Sequence, residues 1–453
     1  MNTEIITKLL CKIFEPEIYR SYLKQKEIRK LPLDEIQKIQ WNRLKELLEF
    51  VYKSSDFYHD TFVSVDLGPD DIKSYEDFAR LPIVTKKTLK INYKRLIAKG
   101  TSKKNYTISR SGGTTGEPFS FLIDNKREHP STTAAFLLNK ESIGISPFEK
   151  INELMIKTKP VNEIKNLYSI DKKSLLHKLK YYFLSETFGI KSLDIKKENI
   201  NIIQSIIEKN SIEIIYGFSL NIFYLAKLCK MHNIKLNIKY VIPIAEGLSE
   251  QQKKFISDTF NCRLYMDYGA SECMRMGFEC NQHIGYHMDL YNYYFEYLDD
   301  SGNICKPNEN ANIIVTNLNN YIFPLIRYRI GDQCILSKQK CSCGNNYPLV
   351  SHIIGRDSDI IRTPLNDEIS LLSIRSLFGS LDEYIIQYQI IVDEKSKEIT
   401  IKIVPTQSYK PEIITGIKEK LLEIINYSMG IKIETVEEIP FDKTGKTKSL
   451  IIK

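Results

Sequence analysis

The stretch Ser109-Arg110-Ser111-Gly112-Gly113-Thr114-Thr115-Gly116-Glu117-Pro118 combines three glycines with four hydroxyl side chains. Gly112, Gly113 and Gly116 let the backbone approach a ligand closely with its N–H groups turned inward. Ser111, Thr114 and Thr115 add hydroxyl donors, and the set suits phosphate oxygens. It lacks the Gly-Lys-Ser/Thr ending of a Walker A loop, and on composition alone the same residues also suit a surface turn. Four further segments carry polar residues at loop-like positions: Tyr268-Gly269-Ala270-Ser271-Glu272, Arg327 to Asp332, Gly355-Arg356-Asp357-Ser358-Asp359, and Pro440 to Lys446. Taken singly, an Arg-rich strand reads as structural and a Gly-Lys near a chain end reads as a turn. A third kind of chemistry comes from sulfur. Cys280, His287, Cys341 and Cys343 form a three-thiol, one-imidazole set fit for tetrahedral structural zinc, with His283 as a substitute for His287. The plainer reading is reduced cysteines beside a surface histidine.

These residues need a scaffold, and the hydrophobic pattern supplies one. The first hundred residues read as helical, with Asp34 and Gln37 spaced as a capping box ahead of Ile36, Ile39, Leu44, Leu47, Leu48 and Val51. From 194 to 269 the pattern alternates. Helical runs Asp194–Lys209, Leu220–His232 and Ser249–Phe260 separate apolar strands Ile212–Tyr216, Tyr240–Ala245 and Cys262–Tyr268. Strands spaced by such helices predict crossover units and a parallel sheet, with ligand-facing loops at the strand C-terminal ends. The class is α/β. Beyond 285 the runs Tyr291–Tyr297 and Ala311–Thr316 predict antiparallel hairpins, with Asp300-Ser301-Gly302 as a turn. The last hundred residues read as a βαβ-like unit: strands Tyr384–Val392 and Ile399–Val404, a helix Pro411–Tyr427 and a strand Ile431–Val436. The expected division is therefore 1–354 and 355–453.

Composition narrows the functional classes. A chain of 453 residues with 42% hydrophobic and 26% charged residues is built to fold, in more than one structural unit. Its formal charge of +8 is dispersed, without a basic arm or stacking motif, so a nucleic-acid partner is not expected. Glu4, Lys8, Lys12, Glu15 and Glu17 interrupt any signal-peptide core, and Ile214 to Cys229 falls short of a membrane span. Nine cysteines, an odd count, argue against a disulfide framework and for a reducing, cytoplasmic setting.

Taken together and in this order, the five segments resemble the adenylate-forming superfamily of acyl-CoA synthetases. More narrowly they resemble the phenylacetate-CoA ligase family and its CapK-like branch, associated with capsular polysaccharide biosynthesis. The resemblance runs from Phe57-Tyr58 and Leu81-Pro82-Ile83 to Lys446. It implies the adenylate-forming fold: a large N-terminal domain with parallel sheets and a strand-rich subdomain, and a small mobile α+β C-terminal domain. It implies activation of a carboxylic acid as acyl-adenylate with ATP and Mg²⁺, followed by transfer to coenzyme A. The CapK-like alternative is an amine or hydroxyl acceptor on a sugar. A non-catalytic nucleotide-binding or scaffold protein is the alternative from another class.

Carried onto this chain, the resemblance makes Ser111 to Gly116 the cradle of the β- and γ-phosphates and Glu272 the magnesium ligand. Ala245, Glu246, Gly247, Tyr268 and Gly269 line the adenine and carboxylate pocket, and Asp332 accepts the ribose hydroxyls. Arg356 contacts the nucleotide, and Lys446 approaches the α-phosphate and the substrate carboxylate in the first half-reaction. Part of the family also holds zinc on a similar Cys, His and Cys-x-Cys arrangement. The chain departs from the pattern at three places. Ser358 stands at the hinge where Asp or Lys is usual, Arg362 to Asp367 lacks a Gly-rich turn, and Phe119 replaces the Lys that often follows the phosphate loop.

Overall fold

The computed structural model of the chain describes residues 3–110, 119–157, 187–356, 360–365, 367–370, 374, 378, 381, 384–406, 408–440 and 450–452. The expected site residues Ser111 to Gly116, Ser358 and Lys446 lie outside the described residues. The chain divides into two compact units, one of residues 1–149 and 267–353 and the other of residues 150–266 and 354–453. The segment Lys150–Met266 clusters with the C-terminal residues rather than with the N-terminal ones.

The first unit opens with helices α1 (Thr3–Phe14), α2 (Pro16–Ile28), α3 (Leu33–Ser54) and α4 (Asp56–Ser64), then short helices α5 (Tyr75–Ala79), α6 (Lys86–Ile91) and α7 (Tyr93–Leu96). In α3 the stripe Ile36, Leu44, Leu47, Leu48 and Val51 is buried at the predicted spacing. The expected capping box is not there. Pro32 occupies the N-cap and no side chain caps the helix, so Asp34 sits inside the first turn, where it pairs with Lys38 at 3.5 Å. Proline's restricted φ starts the helix two residues earlier than Asp34 as N-cap would, and the carboxylate meets the positive helix end instead.

Strands β1 (Tyr106–Arg110) and β2 (Ser120–Asp124) pair antiparallel, with α8 (Glu128–Ser142) following. The rest of this unit is antiparallel: β8 (Asp267–Ala270), β9 (Met274–Glu279), β10 (Tyr286–Met288), β11 (Tyr293–Leu298), β12 (Asn310–Asn317), β13 (Tyr328–Leu336) and most of β14 (Leu349–Arg356). They run in the order β11-β12-β13-β14-β10-β9-β8. The β11–β12 connection turns over Asp299–Asn303, with Gly302 at φ +87°, as its Asp-Ser-Gly sequence predicts.

The second unit holds the parallel strands β3 (Asn152–Lys157), β4 (Thr187–Lys191), β5 (Ile212–Phe218), β6 (Tyr240–Ile244) and β7 (Arg263–Leu264), ordered β4-β3-β5-β6-β7. Helices α9 (Ile200–Lys209), α10 (Ser219–Met231) and α11 (Glu250–Phe260) alternate with them, and Ser249 and Gln252 form a capping box on α11. The single strand expected over Cys262–Tyr268 is divided. Its first part, β7, runs parallel to β6, whereas Asp267 onward becomes β8, antiparallel to β9. The change of partner coincides with the boundary between the two units, and Tyr268-Gly269 therefore lie in an antiparallel strand.

The C-terminal residues form a four-stranded sheet ordered β19-β18-β17-β20 from β17 (Ile385–Asp393), β18 (Glu398–Pro405), β19 (Gly430–Thr435) and β20 (Leu450–Ile452), with helix α12 (Glu412–Ile424). Its core is aliphatic: Ile390, Val392, Ile399, Ile401, Ile403, Ile417, Leu421 and Ile425. A small hairpin of β15 (Ile360–Arg362) and β16 (Glu368–Ser370) precedes it. The sequence pattern anticipates neither this hairpin nor β20, because three-residue apolar strands carry no period. Among the described residues, no helix is long and apolar enough to cross a membrane.

Candidate functional site

The strands that flank the Gly-rich segment are paired to its edges, Arg110 with Ser120. Their anchor is a buried polar network. Asn320 donates Nδ2 to the Leu122 carbonyl at 2.7 Å and to Glu128 Oε2 at 2.8 Å, Asn317 donates to Glu128 Oε1 at 2.6 Å, and the Asp124 N–H donates to Glu128 Oε2 at 3.3 Å. Asn320 is locked in orientation because its Oδ1 accepts the N–H groups of Ile322 and Phe323. Burial pushes the Glu128 carboxyl up to about 8, against the pull of these hydrogen bonds. This network was not foreseen from the sequence. Its signal was Asn317-Leu318-Asn319-Asn320, polar residues closing an otherwise apolar strand.

Two of the expected site carboxylates are each tied into the antiparallel sheet by a tyrosine. Glu272 lies in the tight connection between β8 and β9 and Asp332 lies on β13; both are buried. The Tyr328 hydroxyl donates to Glu272 Oε1 at 2.8 Å, and the Tyr268 hydroxyl donates to Asp332 Oδ2 at 2.9 Å. Tyr328 and Asp332 are four residues apart on one strand and so share a face. The β8–β9 connection is thereby joined to β13 twice. Gly269 is required by this geometry: a Cβ there would stand 2.0 Å from the Met274 carbonyl oxygen. Burial, and then the Asp332 charge, hold the Tyr268 hydroxyl well above its usual range, so it is a donor at neutral pH.

Arg327, which opens the same motif, has a structural task. It is buried at φ +48°, forms a paired contact with Glu296 at 2.8 and 3.0 Å, and donates to the carbonyls of Ala79 and Leu81. This holds Leu81-Pro82-Ile83 against the start of β13.

Ala245, Glu246 and Gly247 follow β6 in the second unit. Ala245 is exposed at φ +73°, and the loop is pinned by Ser219, whose hydroxyl lies 3.0 Å from the Ile244 carbonyl and 2.7 Å from that of Glu246. Arg356 is the last residue of β14.

The sulfur residues converge. Cys280 follows β9, His287 lies on β10, and Cys341 and Cys343 come from the β13–β14 connection; their ligand atoms all lie within 4.8 Å of one another. Cys280 Sγ is 3.5 Å from Cys341 Sγ, and Cys343 Sγ is 3.3 Å from His287 Nε2. A tetrahedral zinc with bonds of ~2.3 Å separates its sulfur ligands by ~3.8 Å, so the spacing fits. His287 Nδ1 stands 3.2 Å from the Tyr347 carbonyl. A carbonyl only accepts, so Nδ1 carries the proton and Nε2 turns its lone pair toward the thiols. The Cys280 thiol, hydrogen-bonded to Cys343, holds the Cys343 thiol below its usual range. His283 is half exposed, 3.6 Å from Glu279, and stands outside the four.

The chain is similar to known proteins over nearly its whole length. It is 23% identical to Protein CapK of Staphylococcus aureus over 97% of this chain and 94% of that one. It is 22% identical to a phenylacetate-coenzyme A ligase of Thermus thermophilus over 86% of each. The family described as the CapK C-terminal domain matches residues 361–453. Among solved structures, 2-hydroxyisobutyryl-CoA ligase in its postadenylation state with an acyl-AMP aligns at a TM-score of 0.75, 16% identity, over 94% of this chain and 91% of that one. Anthranilate CoA ligase AuaEII with anthranoyl-AMP aligns at 0.54 and 15% identity, over 78% of this chain and 66% of that one. The fold is that of the adenylate-forming CoA ligases, and the resemblance drawn from the ordered motifs holds.

Proposed function

We propose that this chain, similar throughout to CapK and to phenylacetate-CoA ligases, is an ATP-dependent, AMP-forming ligase that activates a carboxylic acid and passes the acyl group to coenzyme A. The observation that carries the reading is the pair of buried motif carboxylates, Glu272 and Asp332, each oriented by a tyrosine hydroxyl of one sheet. An oriented Asp332 offers its carboxyl oxygens to the two ribose hydroxyls. The Ser111–Gly116 loop takes the terminal phosphates, held at its base by the Glu128–Asn320 network. Tyr268 and Gly269 on the one hand, and Ala245, Glu246 and Gly247 on the other, take the base and acid contacts that the resemblance implies, and Arg356 contacts the nucleotide.

In the first step an acid carboxylate oxygen attacks the α-phosphorus and pyrophosphate leaves. Lys446 stabilises the charge that builds on the phosphorus oxygens. In the second step a thiolate attacks the acyl carbon and AMP leaves. Residues 355–453 form the small domain, which turns about Ser358 between steps so that Lys446 serves only the first. Magnesium would be held by Glu272, a hard and buried carboxylate, and neutralises phosphate charge when bound. Zinc would be held by Cys280, His287, Cys341 and Cys343, a closed donor set that supplies fold stability and no open position for chemistry.

The CapK match over 97% of the chain favours a second reading, in which the acceptor is an amine or hydroxyl of a sugar intermediate. The missing Gly-rich turn at Arg362 to Asp367 points the same way. Exchange of labelled pyrophosphate into ATP, driven by a panel of aryl, short-chain, hydroxy and amino acids, tests adenylation. Wild type should exchange with one acid class, and Lys446→Ala should lose at least about 100-fold, the loss expected when a transition-state cation is removed. No exchange with any acid would overturn the reading. Product formation with and without coenzyme A then separates the two acceptors.

A further inference from the structure

Helix α1 is apolar on both sides. Its inner face is anchored: Thr7 is buried, the Glu4 carboxylate takes the Ser146 hydroxyl at 2.5 Å, and Cys11 packs on the cluster of Tyr22, Ala134, Leu138 and Phe148. Its outer face is not covered. Ile5, Leu9 and Ile13 are 61%, 53% and 58% exposed, at positions i, i+4 and i+8 of one helix. Such spacing aligns them in a stripe about 12 Å long. Exposed aliphatic residues scattered singly need no explanation, but three aligned on one anchored helix do.

Charge and area decide what covers the stripe. On a helical projection Lys8 and Lys12 lie beside Ile5 on the same outer arc, and both are exposed. Glu4, the acid of the helix, is turned inward to Ser146. The outer arc is therefore aliphatic and cationic. A second copy of the helix would bring lysine against lysine. Three side chains also fall far short of the ~800 Å² per partner that a stable protein interface buries. A lipid surface demands neither shape complementarity nor a large area. It takes aliphatic side chains at the headgroup boundary and attracts ammonium groups to its phosphates.

We infer that the outer face of α1 docks on an anionic phospholipid surface, with Ile5, Leu9 and Ile13 entering the headgroup–acyl boundary and Lys8 and Lys12 meeting lipid phosphates. The helix lies on the bilayer and does not cross it. The proposal is independent of the ligase reading, since it uses no residue of that site.

The test is co-sedimentation of the full chain with phosphatidylcholine vesicles with and without phosphatidylglycerol, together with size-exclusion light scattering without vesicles. Wild type should sediment with the anionic vesicles and not the neutral ones, less so as salt rises. Leu9→Glu should abolish binding, and Lys8→Glu with Lys12→Glu should weaken it about tenfold or more. Every substituted position is exposed, so circular dichroism and the unfolding midpoint should match wild type. Absence of vesicle binding, equal binding to neutral vesicles, or binding indifferent to Leu9→Glu overturns the proposal. So does a dimer that Leu9→Glu dissociates without vesicle binding, which would assign the stripe to a second copy.

Discussion

Two polar clusters of the same unit, one buried and one half-buried, differ in whether the protein closes them. Around Glu128, three N–H donors, from Asn317, Asn320 and the Asp124 backbone, meet the two carboxyl oxygens, and Asn320 is itself fixed by two backbone N–H groups. Around Cys343 the groups are all electron-pair donors of soft character, with only protons to share. A network that satisfies itself contributes to folding without help. On the zinc reading proposed above, a cage of three thiols and an imidazole with its lone pair turned inward is completed by a cation. Burial alone does not separate structural from ligand-holding clusters; the balance of donors and acceptors does.

The sharpest break of this comparison is to remove sulfur. Cys341→Ser with Cys343→Ser should abolish a zinc content of about one ion per chain and lower stability by more than about 4 kcal/mol, because metal-binding energy at a closed site is folding energy. Treating the wild-type protein with a strong chelator should reproduce the loss, and adding zinc back should reverse it. Metal analysis and thermal unfolding check both. A purified chain free of zinc, or a variant as stable as wild type, would place this cluster with the self-satisfied kind.

The Glu128 network should break less severely and with a pH signature. Glu128→Ala strands three buried donors and should cost about 3 kcal/mol. Glu128→Gln keeps the volume but sets an amide nitrogen against a locked donor, costing about 1 kcal/mol. The sign with pH follows from the raised carboxyl. Between the unfolded value of 4.5 and about 8 the folded chain keeps a proton that the unfolded chain has lost, so stability falls as pH rises through that window and levels off above it. The slope from this one group is at most about 1.4 kcal/mol per pH unit. Denaturant unfolding from pH 5 to 9 should show the slope in wild type and a shallower one in Glu128→Gln; equal slopes would remove Glu128 as its source.

The two clusters also differ in how far they could be read from the sequence. The cysteines are few and chemically singular, so type and spacing nominated the four residues whose ligand atoms the structure brings within 4.8 Å of one another, with His287 and not His283 among them. The parallel strands β5 and β6 were readable because helices and apolar runs alternate around them. Glu128 was not readable. Its partner Asn317 lies 189 residues away, and no local pattern couples an ordinary glutamate at a helix start to an asparagine closing a strand. The capping box at Asp34 failed for a local reason, since Pro32 competes for the same helix start. The strand over Cys262–Tyr268 failed for a global one, because a run of residues does not reveal where it changes partners. Asp332 was found by motif, but the tyrosine that aims it was named only as a pocket wall.

That tyrosine gives the smallest and most specific effect. The carboxylates of the candidate nucleotide site fall between the two clusters, buried and aimed by tyrosine hydroxyls yet suited to an incoming ligand. Tyr268→Phe removes the hydroxyl that donates to Asp332 at 2.9 Å and leaves the ring packed beside Tyr286. Stability should fall by about 1.5 kcal/mol, the worth of a hydrogen bond to a charged group. If Asp332 takes the ribose hydroxyls, the KM for ATP should rise a few-fold, by roughly 1 kcal/mol, while the KM for the acid stays within error. Asp332→Ala should raise the KM for ATP further and make the added Tyr268→Phe change nearly silent, since the hydroxyl then has no carboxylate to aim. Equal changes in both KM values would instead mean that Tyr268 shapes the whole pocket. No change in either would show that Asp332 is positioned without it.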